Sequence, residues 1–133
     1  MRIAIDTNIL VRFLTEDDEP QTALATAAIE AAEAVIVSTT VLCETVWVLS
    51  RAHKLSRQRV ADVLRAFITS DRVEVNRLEA EAGLSYLQSG RDFADGVILL
   101  HAEQSRADRL VTFDRDFAKA PVTSKVPLVL LER

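Results

Sequence analysis

The sequence predicts an α/β sandwich built on a mostly parallel β-sheet with helices on both faces. One observation leads to this fold class, and a second indicates the number of domains. Short apolar segments of strand length alternate along the chain with longer segments whose apolar residues recur at helical spacing. Only three glycines and three prolines occur in 133 residues, and none are bunched into a linker, so we expect a single domain over residues 1–133.

The first half of the chain is predicted to contain two strands, each followed by one or two helices. Pro20 suits the first turn of a helix, because the backbone N–H that proline lacks has no partner there in any helix. Residues Ser38 to Thr40 are candidate N-caps for the helix that follows the second strand. The predicted elements are a strand at Arg2–Ile5, a helix from Asn8 to Leu14, a helix from Pro20 to Ala32, a strand at Ala34–Val37 and a helix from Val41 to Leu49.

The second half continues the alternation. Ser56 is the expected N-cap of a helix with an apolar face, and Gly90 is expected to end a later one. The predicted elements are a helix from Ser56 to Ile68, a strand at Arg72–Val75, a helix at Glu79–Gln88, a helix that starts at Asp92, a strand that begins at Leu110–Val111 and ends at Thr112–Asp114, and a last strand at Pro127–Leu131.

Composition limits the classes of function. No apolar run approaches the ~18 residues that a membrane span requires, and the start lacks the basic and apolar regions of a secretion signal. Cys43 is the only cysteine, which excludes an internal disulfide and a metal site built from cysteines. We therefore expect a soluble, cytoplasmic protein. The net charge of −4 does not by itself suggest a nucleic-acid binder, although total charge says little about local clusters.

Acidic residues fall where a parallel sheet would form a site, beyond the carboxyl ends of its strands. Asp6 directly follows the first strand, and Glu44 lies about one turn into the helix after the second. Asp114 follows the strand at Leu110, with Asp116 two residues later. Asp95 lies in the first turn of the helix that leads into that strand. We expect these side chains to converge at one end of the sheet.

Clustered carboxylates repel one another and stay ionised together only where a cation neutralises them. Oxygen ligands without a histidine or cysteine cluster favour Mg²⁺, with Mn²⁺ as an alternative, over zinc. Such a cation can activate a bound water for attack on a phosphodiester. The hydroxyls of Thr7 and Thr112 and the amide of Asn8 have the right chemistry to orient the ligands or bind phosphate.

Each acid also has a purely structural explanation. Asp6 can cap the helix after it, Asp95 can belong to a capping arrangement, and Asp114 and Asp116 can be ordinary turn residues. Glu44 is harder to explain in this way, because its sequence neighbours are apolar and a buried charge needs a partner. These explanations do not exclude a metal site, since a capping residue can also face a cation.

Four segments, IAIDTNIL, STTVLCETVWVL, DFADGVILLHA and LVTFDRDF, resemble the signature blocks of PIN domains in order and spacing. The nearest resemblance is to VapC-type toxins, small ribonucleases of type II toxin–antitoxin modules. It implies a PIN-like three-layer sandwich with a central sheet of about five strands, in which the first and fourth strands are adjacent and Asp6 lies beside Asp114. It also implies that Asp6, Glu44 and Asp95 carry the metal, with Asp114 as the fourth acid and Asp116 as an alternative ligand.

The resemblance further implies an RNA substrate, a homodimer and an antitoxin partner whose tail occupies the acidic site. One departure is Gly96, where the family usually has alanine. Glycine inside a helix costs up to ~1 kcal/mol relative to alanine, so we expect Gly96 to loosen the start of its helix.

Three arginines are candidates for contacts with RNA. Arg51 lies in the basic segment SRAHKLSRQR, two turns from Glu44, while Arg91 and Arg115 each lie near a predicted catalytic acid. The basic segment has a second explanation, because cations are favourable at the C-terminus of a helix and on a solvated face.

The sequence therefore predicts a Mg²⁺-dependent endoribonuclease that acts as the toxin of a VapBC-type system and leaves 3′-hydroxyl and 5′-phosphate ends. One alternative is a PIN-fold protein that binds RNA or a partner without cutting, which the complete set of acids disfavours. Another is a haloacid-dehalogenase-like phosphatase with Asp6 as nucleophile. Such enzymes usually have a second aspartate two positions later, where this chain has Asn8.

Overall fold

The computed structural model describes residues 1–119 and 124–132, and these contain five strands and seven helices. The strands are β1 (Arg2–Ala4), β2 (Ala34–Ile36), β3 (Val73–Glu74), β4 (Leu110–Thr112) and β5 (Leu128–Leu130). The helices are α1 (Thr7–Thr15), α2 (Glu19–Ala31), α3 (Thr39–Arg51), α4 (Arg57–Ile68), α5 (Arg77–Gln88), α6 (Phe93–Gln104) and α7 (Arg115–Ala118). The predicted order of elements is confirmed, and α7 is an additional short helix.

Side chains in the connections before α1, α3 and α4 accept hydrogen bonds that begin these helices. The carboxylate of Asp6 accepts a hydrogen bond from the N–H of Ile9 at 3.1 Å, and this starts α1 just after β1 ends. The hydroxyls of Ser38 and Ser56 cap α3 and α4 in the same way, at 3.2 and 3.1 Å. These caps confirm the expected helix starts, and they turn the chain from strand into helix within two residues of β1 and β2.

All of the strand pairs are parallel, as predicted. In one sheet β1 pairs with β2 and β2 with β3, and in a second sheet β4 pairs with β5. The α/β architecture with five parallel strands among helices is therefore confirmed. The finer expectation that β1 and β4 are neighbours is not met, because no hydrogen-bonded pair joins these two strands in the structure.

The division into two sheets follows the division of the apolar core. The larger cluster contains buried residues such as Leu10, Leu49 and Leu64, and it includes the strands of the first sheet. The smaller cluster contains Leu99, Ala102, Phe117 and Val126, with Leu110 and Leu128 of the second sheet packed against it. Strands of three residues form few hydrogen bonds, so each pairing depends on the core beneath it.

Helix α6 contributes to both clusters. Phe93 in its first turn is buried in the larger core, whereas Leu99 and Ala102 further along are buried in the smaller one. Consequently, α6 connects the core beneath the first sheet with the core beneath the second.

The close approach of α5 to α6 depends on Gly96. A Cβ atom added at this position would lie 2.3 Å from the carbonyl oxygen of Ala82 and 3.0 Å from the Cβ of Tyr86. Gly96 is buried at this contact. The expectation that Gly96 loosens the helix start stays a prediction, and the structure adds a second effect: the missing side chain allows the two backbones to pack together.

The described residues contain no helix with the length and apolar character needed to cross a membrane.

We predict that Gly96→Ala destabilises the protein although alanine is the better helix former. Forcing a methyl group into a filled contact costs about 1–3 kcal/mol, whereas the gain in helix propensity is at most ~1 kcal/mol. Urea unfolding should give a lower free energy of unfolding. Ser85→Ala, an exposed change on α5, is the control for propensity alone and should leave stability equal or slightly higher. Equal stability of Gly96→Ala and wild type would contradict the packing role.

Candidate active site

Asp6 and Glu44 form the first pair of acids. Asp6 is the N-cap of α1, and Glu44 lies on α3. The hydroxyl of Thr7 donates a hydrogen bond to Oε1 of Glu44 at 2.9 Å, which ties the start of α1 to α3. The two acids, with Thr7 and Asn8, line an open depression of about 510 Å³. The first and second signature segments therefore meet at one site, as expected.

Glu44 is exposed, so the expectation of a buried charge at this position is wrong. The helical period explains the difference: α3 buries Leu42, Thr45 and Val46 and leaves Glu44 on the outer side. The apolar neighbours of Glu44 in sequence are therefore not its neighbours in space. Its carboxylate is accessible to a ligand without the cost of desolvation.

Asp95 and Asp114 form the second pair. Both line a depression of about 250 Å³, together with Asp92 and Asp116. Asp95 is half-buried in the first turn of α6, and burial, followed by repulsion from Asp92 and Asp114, raises its pKa to about 6. A buried carboxyl among other acids holds its proton more tightly, and a bound cation would have the opposite effect.

Asp114 is held in place by short-range hydrogen bonds. Its Oδ1 accepts from the N–H groups of Asp116, at 2.9 Å, and Phe117, at 3.1 Å, and so caps α7. The N–H of Asp114 in turn donates to the hydroxyl of Thr112 at 3.0 Å. Thr112 therefore orients the loop that carries Asp114. The negative charge of Asp114 in turn contributes to the raised pKa of Asp95.

The structure does not bring all the predicted acids together. Asp6 and Glu44 line one depression, and Asp95, Asp114 and Asp116 line another. Within residues 1–119 and 124–132, no three His, Cys, Asp or Glu side chains lie close enough to share one ion. The expected single cluster, with Asp6 beside Asp114, is thus corrected to two separate groups. The reason is that β1 and β4 belong to different sheets.

The donor chemistry of each pair still fits a hard divalent cation. Mg²⁺ usually keeps several waters and takes only one or two protein carboxylates, so it does not need three acids. The first pair offers two exposed carboxylates, one of them fixed by Thr7. The second pair offers Asp114, fixed by its role as a cap, and Asp95, whose surroundings already carry excess negative charge.

The predicted cationic residues take different positions. Arg91 lines the second depression and donates to the carbonyl oxygen of Asp116 at 2.9 Å. Arg51 lies in a neighbouring groove on α3 instead of beside Glu44. Arg115 lines neither depression, and its guanidinium forms an ion pair with Glu132 at 3.2 Å.

Sequence reasoning did not assign Tyr86 or Trp47 to the site, and it placed Arg57 only in the basic segment, without selecting it as a contact. Arg57 lines the second depression, 3.8 Å from a carboxylate oxygen of Asp92. Arg57 is the first residue of α4, where a cation is unfavourable because of the helix dipole, and this unfavourable position was a signal that the residue has a function. Tyr86 lines the same depression with a buried hydroxyl that has no hydrogen-bond partner in the structure. Trp47 lines the first depression, and no local pattern marked its exposure.

We predict that Asp95→Asn is more stable than wild type near neutral pH in EDTA. Folded Asp95 keeps its proton up to about pH 6, against an ordinary pKa of 3.8, so the folded state binds more protons between these values. The free energy of unfolding of wild type therefore falls as pH rises through this interval. Urea unfolding across pH should show the advantage of Asp95→Asn growing over the same interval. Asp108→Asn controls for the loss of one exposed charge, and a pH-independent difference would contradict the shift.

Comparison with known proteins identifies the family. The profile of the PIN domain family matches residues 3–122. No curated protein matches the chain. Among solved structures, the chain is similar to VapC20 of Mycobacterium tuberculosis, described as a toxin that cleaves the sarcin–ricin loop, with 22% identity over 96% of this chain and 100% of that chain. The TM-score is 0.46, and likeness at this level does not carry that protein's substrate over to this chain.

The profile match covers nearly the whole chain and includes all four acids of the two pairs. The chain therefore belongs to the PIN domain family.

Proposed function

We propose that this protein is a divalent-cation-dependent endoribonuclease, the toxin of a VapBC-type toxin–antitoxin pair. The observation that carries the proposal is the presence of two accessible carboxylate pairs, Asp6 with Glu44 and Asp95 with Asp114, in the four segments that resemble PIN signatures. Such pairs are suited to hold Mg²⁺ or Mn²⁺ beside a phosphodiester.

The bound cation would lower the pKa of a coordinated water and offset charge on the phosphate. Hydrogen bonds within the protein hold the carboxylates that would bind this cation. Thr7 holds Glu44 through its hydroxyl, and the capping bonds of Asp6 and Asp114 fix their carboxylates relative to α1 and α7. Second contacts of this kind orient metal ligands in other proteins, and their loss weakens binding or activity.

Cations near the acids support binding of a phosphate backbone. Arg91 is held by the carbonyl oxygen of Asp116, and Arg57 lies beside Asp92 in the same depression. The planar guanidinium group of arginine can donate two parallel hydrogen bonds to the oxygens of a phosphate. Arg51 lies one groove further along α3 and adds a third arginine near the acids.

The partners of the proposed toxin follow from the resemblance of the four motifs. We propose a cognate antitoxin whose tail occupies the acidic site, a homodimer, and action on RNA in the cytoplasm. The haloacid-dehalogenase-like alternative is not retained, because the chain belongs to the PIN domain family and has Asn8 where that chemistry requires an acid.

A second candidate function is binding of RNA without cleavage. The separation of the acids into two pairs favours it, because no three acids in the described part of the chain are placed to share one ion. The two candidates differ in one measurable property, which is metal-dependent hydrolysis.

We predict that purified, antitoxin-free protein cuts a mixed-sequence RNA in Mg²⁺ or Mn²⁺ but not in EDTA, and that Asp6→Asn abolishes cutting. Asparagine is as good an N-cap as aspartate, so this change removes the charge and keeps the start of α1. Gel analysis of end-labelled RNA gives the rates. Wild type and Asp6→Asn that are equally inert in every metal would favour RNA binding without cleavage, and cutting that persists in EDTA would contradict the acidic site.

We predict that Thr7→Val lowers the cleavage rate by about 10- to 100-fold, the usual effect of removing a residue that orients a metal ligand. The hydroxyl bond to Glu44 is the interaction lost. Thr40→Val, an exposed threonine on α3, is the matched control and should cut at the wild-type rate. A wild-type rate for Thr7→Val would show that the position of Glu44 does not depend on this bond.

We predict that the metal-free protein binds two Mn²⁺ ions, one at each carboxylate pair, and that Glu44→Gln removes one of them. Asp95→Asn should remove the other. Calorimetric titration measures the number of ions and their affinities without any cleavage. Loss of all binding on either single change would mean that the four acids act together on one ion in the loaded protein.

A further inference from the structure

A groove of about 400 Å³ lies between α3, α4 and the start of α6, and we call it the α3 groove. Trp47 lines both this groove and the depression of Asp6 and Glu44. Arg57 and Asp92 line both this groove and the depression of Asp95 and Asp114. The α3 groove is therefore the surface that connects the two acid pairs.

Trp47 is unusually open to solvent for its type. Its side chain is 62% exposed, although Val46 and Leu49 on the same helix are buried in the core. It lies three residues after Glu44, and side chains at this spacing are neighbours on a helix surface. A large flat apolar ring is thus presented to solvent directly beside an acid of the proposed catalytic site.

Two arginines, Arg51 and Arg57, and one acid, Asp92, also line the groove. Arg51 follows Trp47 by four residues on α3 and has no ion pair within the described residues. The side chain of Arg57 is 55% exposed, and its guanidinium forms a long ion pair, at 3.8 Å, with the still more exposed side chain of Asp92. Both guanidinium groups are available to an anionic ligand.

A flat ring beside Arg51, which has no ion pair in the described part of the chain, and Arg57, which has only a long one, fits a nucleotide better than an apolar peptide or a second copy of the chain. Bases stack on tryptophan, and the adjacent phosphates carry the charge that arginine binds. An apolar peptide would cover Trp47 but leave both arginines without counter-charges. A second copy of the chain would cover Trp47 favourably only if it placed acidic side chains against both arginines, and the dependence of tryptophan emission on protein concentration tests for this arrangement.

We propose that Trp47 is a stacking platform for an unpaired base of the RNA substrate, with Arg51 and Arg57 contacting the flanking phosphates. This inference rests on the proposed function, which makes RNA the substrate. A base inside a duplex has no free face, so the platform selects RNA that is single-stranded or splayed out beside the bond to be cut.

Trp47 is the only tryptophan in the chain, so its fluorescence reports the platform directly. The wild-type protein is titrated in EDTA, where no cutting occurs, with a short single-stranded RNA, the same sequence in a blunt duplex, and an abasic oligonucleotide of equal length. Stacking predicts strong quenching by the single strand and little by the duplex or the abasic strand.

Variants separate stacking from charge. Trp47→Leu should bind labelled single-stranded RNA about 5- to 150-fold more weakly, which corresponds to the 1–3 kcal/mol of a stacked base. Trp47→Phe should keep most of the affinity. Leu78→Ala removes a similarly exposed apolar side chain elsewhere and should bind as wild type. Circular dichroism verifies that each variant is folded.

Arg51→Gln and Arg57→Gln should each reduce the salt dependence of binding, with a slope of log affinity against log salt lower by about 0.7. Arg77→Gln, an exposed arginine on α5 outside the groove, is the matched control and should keep the wild-type slope.

Equal quenching by the abasic strand or the duplex would overturn the platform, because it would show contact through charge alone. A change of emission with protein concentration in the absence of RNA would also overturn it, since a second copy would then cover Trp47. Failure of the platform and of the nuclease proposal are distinguishable. Wild-type cleavage by Trp47→Leu refutes only the platform, whereas quenching by single strands without cleavage in any metal refutes only the nuclease.

Discussion

The close contact between α5 and α6 determines how the rest of the structure is arranged. Gly96 permits this contact, because any side chain there would meet the backbone of Ala82. Helix α6 then places Phe93 in the larger core, Leu99 in the smaller core and Asp95 in the second acidic depression. A shift of α6 would therefore disturb both cores and move an acid of the candidate site at the same time.

The same side chains begin helices and form the candidate site. Asp6 and Asp114 each use Oδ1 to cap a helix, and among the described hydrogen bonds Oδ2 of either residue has no partner. The cap fixes the carboxylate relative to the backbone while one oxygen stays free for a ligand. The capping role of these residues is therefore observed, and it is compatible with their proposed role as metal ligands. Burial and the neighbouring carboxylates of Asp92 and Asp114 act on Asp95, whose pKa rises to about 6, so Asp95 keeps its proton to a higher pH than an ordinary aspartate.

Local features of the fold were predictable from the sequence, because they depend on neighbours along the chain. The caps at Ser38 and Ser56 and the order of strands and helices follow from such patterns. Features that depend on packing between distant segments were not. The role of Gly96 requires knowledge of α5, and the separation of β1 from β4 depends on which core each three-residue strand joins. For the site, the family motifs selected the acids, and helical orientation exposed Glu44 against expectation.

Catalytic carboxylates and the arginines that bind phosphate cannot choose an RNA target, because phosphates are the same in every sequence. Selection must come from contacts with bases or from the shape that the substrate adopts. In the described structure, two large aromatic side chains beside the acids are open to solvent: Trp47, at the junction of the α3 groove with the first pair, and Phe113, directly before Asp114. The groove also joins the two acid pairs, so a strand bound along it would pass both. In the proposed nuclease, chemistry and target choice would therefore reside in neighbouring but separate sets of residues, and a change in one set would leave the other intact.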